Sequence, residues 1–325
     1  MSKALYRKYR SKKLSEVVGQ KHITTVLENA LKQGKIAHAY LFTGPRGVGK
    51  TSIARILAHE INNLPYSEED NHPDIIEIDA ASNNGVDDIR QLRDNVQVAP
   101  FSAKYRVYII DEVHMLSKAA FNALLKTLEE PPEHAVFILA TTDAHKLPAT
   151  IISRTQRFVF RFISKEDVCA HLEFIAKNEK INISREAIEI IAERGEGSFR
   201  DSISLLDQIS SIAEKNKEIT ANLLEEALGL APKAQINALI SAFENQNSNE
   251  ILQIVRDVRN SGVDLKNFAS QLLSFITENV GEKPYLSQFL MPLTRAEKSN
   301  FIEMELLSIF IQPSFTPQFS INQNV

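Results

Sequence analysis

A single cysteine, Cys169, occurs in 325 residues. That excludes an internal disulfide framework and any cysteine-rich zinc site. A lone thiol reads as an ordinary buried or surface side chain. Long apolar runs are also missing: the longest, Ala135 to Ala140, has six residues, against the ~20 that a membrane helix needs. No segment is therefore expected to span a bilayer. The first residues are basic, with Lys3, Arg7, Lys8, Arg10, Lys12 and Lys13, but no apolar segment follows them as in a secretory signal. A cytoplasmic location is expected. Excess positive charge is absent too. The net charge is −4, which excludes a protein that coats nucleic acid by its overall field and confines any DNA contact to a local patch.

What is present is an ordinary globular composition, 43% hydrophobic and 24% charged, in a chain long enough for about two or three domains. No internal repeat is visible. The first half alternates short β-rich runs, at 40–43, 75–79, 107–110, 135–141 and 157–162, with helical stretches. This pattern predicts a five-stranded parallel sheet covered by helices on both faces, an α/β fold. The near-continuous apolar character of 107–110 and 136–140 predicts central strands buried on both faces. After Phe162 the strand signal stops. Ser164-Lys165-Glu166-Asp167 opens a helix with a serine cap and an acidic residue three positions on, and two or three amphipathic helices follow to about Leu228. Pro232 marks a second boundary, beyond which Ile236, Leu239, Ile240 and Phe243 share one helical face. The expected domains are 1–163 (α/β), 164–229 (helical), 230–312 (all-α) and a flexible tail at 313–325.

Gly44-Pro45-Arg46-Gly47-Val48-Gly49-Lys50-Thr51 matches the P-loop pattern between a strand and a helix, where that pattern must sit. Glycines let consecutive backbone N–H groups and the next helix's positive end face phosphates. Lys50 is expected to reach the β- and γ-phosphates of ATP, and the Thr51 hydroxyl to ligate Mg²⁺. The strand at 107–110 ends in Asp111-Glu112, at the sheet edge that lines the ligand crevice in open α/β folds. Asp111 is expected to hold Mg²⁺ through its water shell and Glu112 to orient and deprotonate the attacking water. Thr142, at the end of strand 135–141, reads either as a γ-phosphate or water sensor or as a local turn cap.

These motifs sit in ordered blocks that resemble the AAA+ clamp-loader family, specifically the tau/gamma subunits of bacterial DNA polymerase III, over about residues 4 to 230. The blocks include Tyr6-Arg7-Lys8-Tyr9-Arg10, Val17-Val18-Gly19-Gln20, His38-Ala39-Tyr40-Leu41-Phe42, Ile78-Asp79-Ala80-Ala81-Ser82, Asp111-Glu112-Val113-His114-Met115-Leu116-Ser117 and Leu124 through Pro132. The resemblance implies an AAA+ P-loop domain, a helical lid and an all-α collar, and an ATP hydrolase working within a DNA polymerase III holoenzyme. Its implied partners are delta- and delta-prime-like subunits, further copies of the chain, a sliding clamp and primer–template DNA, with no membrane. Arg154, in Ser153-Arg154-Thr155, then corresponds to an arginine finger serving a neighbour's ATP site. Thr155 stands where the family has cysteine, so the thiol is dispensable. Arg200, in Gly197-Ser198-Phe199-Arg200-Asp201, corresponds to a second sensor contacting γ-phosphate. Val17 and Val18 are implied to lie against adenine, and Arg10 to contact the nucleotide. Lys118 and Lys126, eight apart on one helix face, and Arg90 are implied to follow DNA phosphates.

Two departures bear on what the resemblance carries over. The family usually has four zinc-binding cysteines between the P-loop helix and strand 75–79, whereas the interval 64–73 is short, acidic and free of cysteine, so no zinc is expected. The C-terminal region is compact, as in a short gamma-type form. A non-catalytic scaffold subunit is the first alternative, opposed by the intact Lys50, Thr51, Asp111 and Glu112. A branch-migration helicase is the second, opposed by His114-Met115-Leu116 and the all-α C-terminal region.

Overall fold

The computed structural model of the chain describes residues 3–67, 72–212 and 217–311. The tail expected at 313–325 and the middle of the acidic interval 64–73 lie outside the described residues. The chain divides into two compact units, Met1–Glu218 and Ile219–Val325.

In the first unit the elements run α1 (Leu5–Lys8), α2 (Lys21–Lys32), β1 (Ala39–Thr43), α3 (Lys50–Ile61), β2 (Ile75–Asp79), α4 (Val86–Val96), β3 (Arg106–Asp111) and α5 (Lys118–Glu129). There follow β4 (Ala135–Thr141), α6 (Ala149–Ile152), β5 (Gln156–Val159), α7 (Lys165–Glu179), α8 (Arg185–Arg194) and α9 (Phe199–Ile212). The strands pair in the order β2-β3-β4-β1-β5, every pair parallel, as strands joined through crossover helices must. β1 and β4 are buried along their whole lengths. On one face Leu41, Tyr108, Ile110, Phe137 and Leu139 pack with Ile89 and Leu92 of α4 and Phe121 and Leu124 of α5. The alternate residues Val107, Ile109 and Ile138 point to the opposite face, where α3 packs on β3 and β4.

The fifth strand is shorter than the expected 157–162. Phe160 N–H still donates to Thr43 O at 2.7 Å, but from Arg161 onward a side chain replaces the neighbouring strand. The fully buried Gln20 donates Nε2–H to Arg161 O (2.7 Å) and accepts the Arg161 N–H at Oε1 (3.3 Å). A side-chain amide that meets both backbone groups of one residue removes the need for a ladder there.

Beyond the sheet, Ser164 Oγ accepts the Asp167 N–H at 3.1 Å and caps α7, as its spacing predicts. Ile163 N–H donates to Gly197 O at 3.1 Å, tying the turn before α9 to the end of the sheet segment. The N-terminal segment also docks on these helices. Leu5 N–H donates to Asp207 Oδ2 (3.1 Å), Lys8 pairs with Glu179 (2.6 Å), and Tyr9 O–H donates to the same carboxylate.

The second unit is all helical: α10 (Ala221–Ala227), α11 (Lys233–Glu244), α12 (Ser248–Asn260), α13 (Leu265–Asn279), α14 (Leu290–Ala296) and α15 (Ile302–Ile311). Ile236, Leu239 and Ile240 enter its core with Val255, Phe268, Leu272 and Phe310, and Phe243 meets Phe289 edge to face at 4.8 Å. The units separate after Glu218, so α10 goes with the helices that follow it, although Pro232 suggests a boundary near 230. Proline ends a helix without ending a packing unit. Ala231, just before Pro232, exchanges two 2.9 Å hydrogen bonds with the side chain of Gln271. Among the described residues no helix is long and apolar enough to cross a membrane.

Candidate nucleotide site

The loop between β1 and α3 is shaped by positions that exclude a side chain. A Cβ on Gly44 would lie 2.5 Å from Phe160 O; one on Gly47, at φ +75°, would lie 1.8 Å from Ser198 Oγ. The second contact brings the start of α9 directly over the loop. Lys50, the first residue of α3, is buried, and its Nζ donates to Gly44 O (2.8 Å) and Pro45 O (2.6 Å). Gly44 and Pro45 do not line the cavity described below and meet Lys50 through their carbonyls. Burial pulls the Lys50 ammonium below its ordinary pKa, against the opposing charges of Glu112 and Asp111.

The acidic edge lies beside this lysine. Thr51 Oγ1 donates to Asp111 Oδ2 at 2.8 Å, and Glu112 N–H donates to Asp111 Oδ1 at 2.9 Å. Burial raises the Asp111 carboxyl above its usual range, the Thr51 hydroxyl and Glu112 amide opposing. Glu112 has left-handed backbone angles (φ 47°, ψ 43°), a conformation that a side-chain-bearing residue keeps only when its surroundings hold it. Its Oε2 accepts from Thr142 Oγ1 (3.2 Å) and Thr142 N–H (3.4 Å). Thr142 therefore reaches the site through Glu112.

A cavity of about 200 Å³ opens here. Arg10, Val17 and Val18 line it from the N-terminal side, Arg46 through Thr51 from the loop, Asp111 and Glu112 from the end of β3, and Arg200 from α9. The Arg200 guanidinium lies over the Tyr6 ring, 5.3 Å from its centre. Sequence reasoning missed Tyr6, Tyr9, His171, Phe199 and Ile203 as lining residues. The two tyrosines stand inside the first block of the resemblance. His171 and Phe199, with ring centres 4.9 Å apart, come from α7 and α9 and meet only through the tertiary fold. Burial pulls the His171 pKa down, which favours the neutral imidazole in this aromatic patch.

Four expected residues lie elsewhere. Arg154 is absent from the cavity lining; it pairs with Glu129 at 2.7 Å and donates to Thr150 O at 3.0 Å. Arg90 pairs with Asp87 at 3.1 Å and is 61% exposed. Lys118 and Lys126 are exposed on α5. The cavity thus combines a phosphate-shaped loop, a buried cation, two carboxylates and an aromatic patch, a set suited to binding a nucleoside triphosphate and activating water beside it.

Family models match in three consecutive pieces: DNA polymerase III, delta subunit, over residues 19–164; DNA polymerase III clamp loader subunit, ATPase lid domain, over 167–214; and DNA polymerase III subunits gamma and tau domain III, over 219–280. The chain is 44% identical to DNA polymerase III subunit tau of Bacillus subtilis, covering 85% of this chain and 51% of that protein. It is 42% identical to the tau subunit of Escherichia coli, covering 84% and 44%. With DNA polymerase III subunit gamma of Buchnera aphidicola it shares 38% identity over 84% of this chain and 78% of the relative. The chain thus spans about half the length of the tau relatives. Among solved structures, the Holliday junction branch migration motor RuvB of Thermotoga maritima superposes with a TM-score of 0.56 at 23% identity, covering 72% of this chain and 79% of that one. This is a likeness of fold, the AAA+ arrangement of parallel sheet and helical lid.

Proposed function

Because the chain belongs to the family of DNA polymerase III gamma and tau subunits, we propose that it is an ATP-hydrolysing subunit of a cytoplasmic clamp loader. In this reading it works with delta- and delta-prime-like subunits and further copies of itself to place a sliding clamp on primer–template DNA. The observation that carries the reading is the convergence of Lys50, Thr51, Asp111, Glu112 and Arg200 on one cavity. A scaffold subunit has no use for a buried lysine and an acidic pair held at such proximity.

The residues present fit both ATP and Mg²⁺. The Gly44 and Gly47 positions leave backbone where a side chain would intrude, so phosphates can approach N–H groups at the start of α3. Thr51 Oγ1 and Asp111 Oδ2 are oxygen donors of the kind Mg²⁺ takes. When bound there, Mg²⁺ supplies charge neutralisation to the phosphates. Lys50 exchanges its two carbonyl partners for phosphate oxygens, and Arg200 approaches the same group from the lid. Glu112 receives the proton of the attacking water, with Thr142 holding its carboxylate. Arg154 serves a neighbouring subunit's site, which requires that it leave Glu129 and Thr150. Arg90, Lys118 and Lys126 contact DNA phosphates.

Replacing Glu112 with Gln tests the reading: ATP affinity should hold while turnover falls by roughly 10²–10⁴-fold, the usual worth of a general base. Unchanged turnover would reject Glu112 as that base, and an absence of turnover in the assembled wild-type complex would reject the ATPase reading as a whole.

A further inference from the structure

We propose that His114 is a positioning residue that clamps the Glu112 carboxylate to the 141–143 loop, setting the rate of ATP turnover without contributing to ATP binding. This rests on the ATPase reading above and deepens it. Glu112 has a left-handed backbone, a conformation that its surroundings must hold, and its carboxylate is placed by its contacts. Thr142 supplies two of them. A further polar neighbour is the ring nitrogen His114 Nδ1, 3.3 Å from Glu112 Oε2.

The imidazole itself is locked. Its side chain is only 8% exposed, Nδ1 lies 3.0 Å from Thr141 Oγ1, and Nε2 lies 3.4 Å from Asp143 Oδ2. Thr141 Oγ1 also accepts the Asp143 N–H at 3.0 Å, which closes the 141–143 turn around the ring. A flat, rigid group with a polar atom at each edge therefore joins the residue after β3 to the residues at the end of β4. Displacement of either strand end moves the carboxylate relative to a water held beside it, and a shift of about 1 Å in such a group is enough to cost about 10²-fold in rate. His114 does not line the cavity, and its contacts are with Glu112, Thr141 and Asp143 rather than with Lys50, Thr51 or Arg200. Its effect should fall on kcat and leave affinity untouched.

The test uses the full chain assembled with its partner subunits, with ATP turnover and binding of a fluorescent ATP analogue read in parallel. His114→Ala should lower kcat at least tenfold and leave the analogue's dissociation constant within about twofold. His114→Gln, which keeps a polar amide at that reach, should recover part of the loss. In a double-mutant cycle with Glu112→Asp, whose shortened carboxylate leaves a measurable rate, the two losses should be clearly less than multiplicative. Wild-type kcat in His114→Ala, a parallel loss of affinity that Gln does not repair, or fully multiplicative losses would each overturn the proposal. No turnover in the wild-type assembly would instead remove the ATPase reading on which it stands.

Discussion

Two groups of charged side chains in the first unit are treated in opposite ways by the fold. Lys50, Asp111 and Glu112 are drawn together at the edge of the sheet, and each is satisfied there, by the loop carbonyls, Thr51 and Thr142 respectively. Arg154, Arg90, Lys118 and Lys126 stand on the surface, paired locally or facing solvent. In the proposed function the difference separates chemistry that one chain can complete from chemistry that needs a second molecule. It also has an energetic side. An exposed pair such as Arg154–Glu129, with side chains 34% and 48% exposed, is worth roughly 0–1 kcal/mol. Arg154 can leave it for a better anion at little cost. Lys50 can give up its carbonyl partners only in exchange for others, because a buried ammonium stripped of partners is strongly penalised.

Arg154 puts this division to the most direct test. In the assembled complex, Arg154→Ala should lower ATP turnover by about 10³-fold, as loss of an arginine finger does. In the isolated chain it should leave nucleotide affinity unchanged. A loss of affinity in the isolated chain would place Arg154 with the first group and end the distinction.

A second test concerns the first group alone. Gly47→Ala puts a methyl where Ser198 Oγ now lies and demands a positive φ from alanine, so destabilisation of about 3 kcal/mol is expected from strain and overlap together. Trimming the obstacle with Ser198→Ala should restore part of the nucleotide affinity and little of the stability, since the backbone strain stays. Thermal unfolding with and without ATP reads both quantities.

How much of this division is legible in the sequence follows from how local each feature is. The strands at 75–79 and 135–141 and the serine cap of α7 rest on short-range patterning, and the structure has them where that patterning predicts. The end of β5 depends on Gln20, 141 residues away in the chain, and no window of sequence contains that contact. The same holds within the site. The loop and the acidic pair are contiguous motifs, whereas His171, Phe199 and Ile203 line the cavity because α7 and α9 are carried over it. His114 is visible as part of a block, but its contact with Asp143 exists only because β3 and β4 are neighbours in the sheet. The arginine and lysine roles in the second group come from resemblance, because a surface cation looks alike whether or not it has a distant partner.

Asp74 is an interior counterpart, a buried carboxylate satisfied by backbone amides. It accepts the N–H groups of Phe101 (2.6 Å), Ser102 (2.8 Å) and Ala103 (2.9 Å). Burial pushes its pKa up, but the three amides, helped by His72, hold it below the ordinary value. Its contribution is therefore complete above the unfolded-state value of about 3.9 and is lost as pH falls through the lower folded value. Asp74→Asn should cost about 2 kcal/mol near neutrality, and the gap to wild type should close as pH drops below about 4. A gap that stays constant down to acid unfolding would mean that the charge contributes nothing.

The smallest effects belong to the exposed basic residues. Lys118→Ala, Lys126→Ala and Arg90→Ala should each change stability by no more than about 0.5 kcal/mol, as surface substitutions do, and leave DNA-free ATP turnover in the assembled complex intact. Where the removed side chain neutralises a DNA phosphate, the slope of log affinity for primer–template DNA against log salt should fall by about one, equally for all sequences. The Arg90 pair with Asp87 is a neighbour on the same helix, three residues away, so DNA competes with it on nearly level terms. A salt slope identical to wild type for all three variants would show that these cations serve only to solvate α4 and α5. Of the second group only Arg154 would then still depend on another molecule.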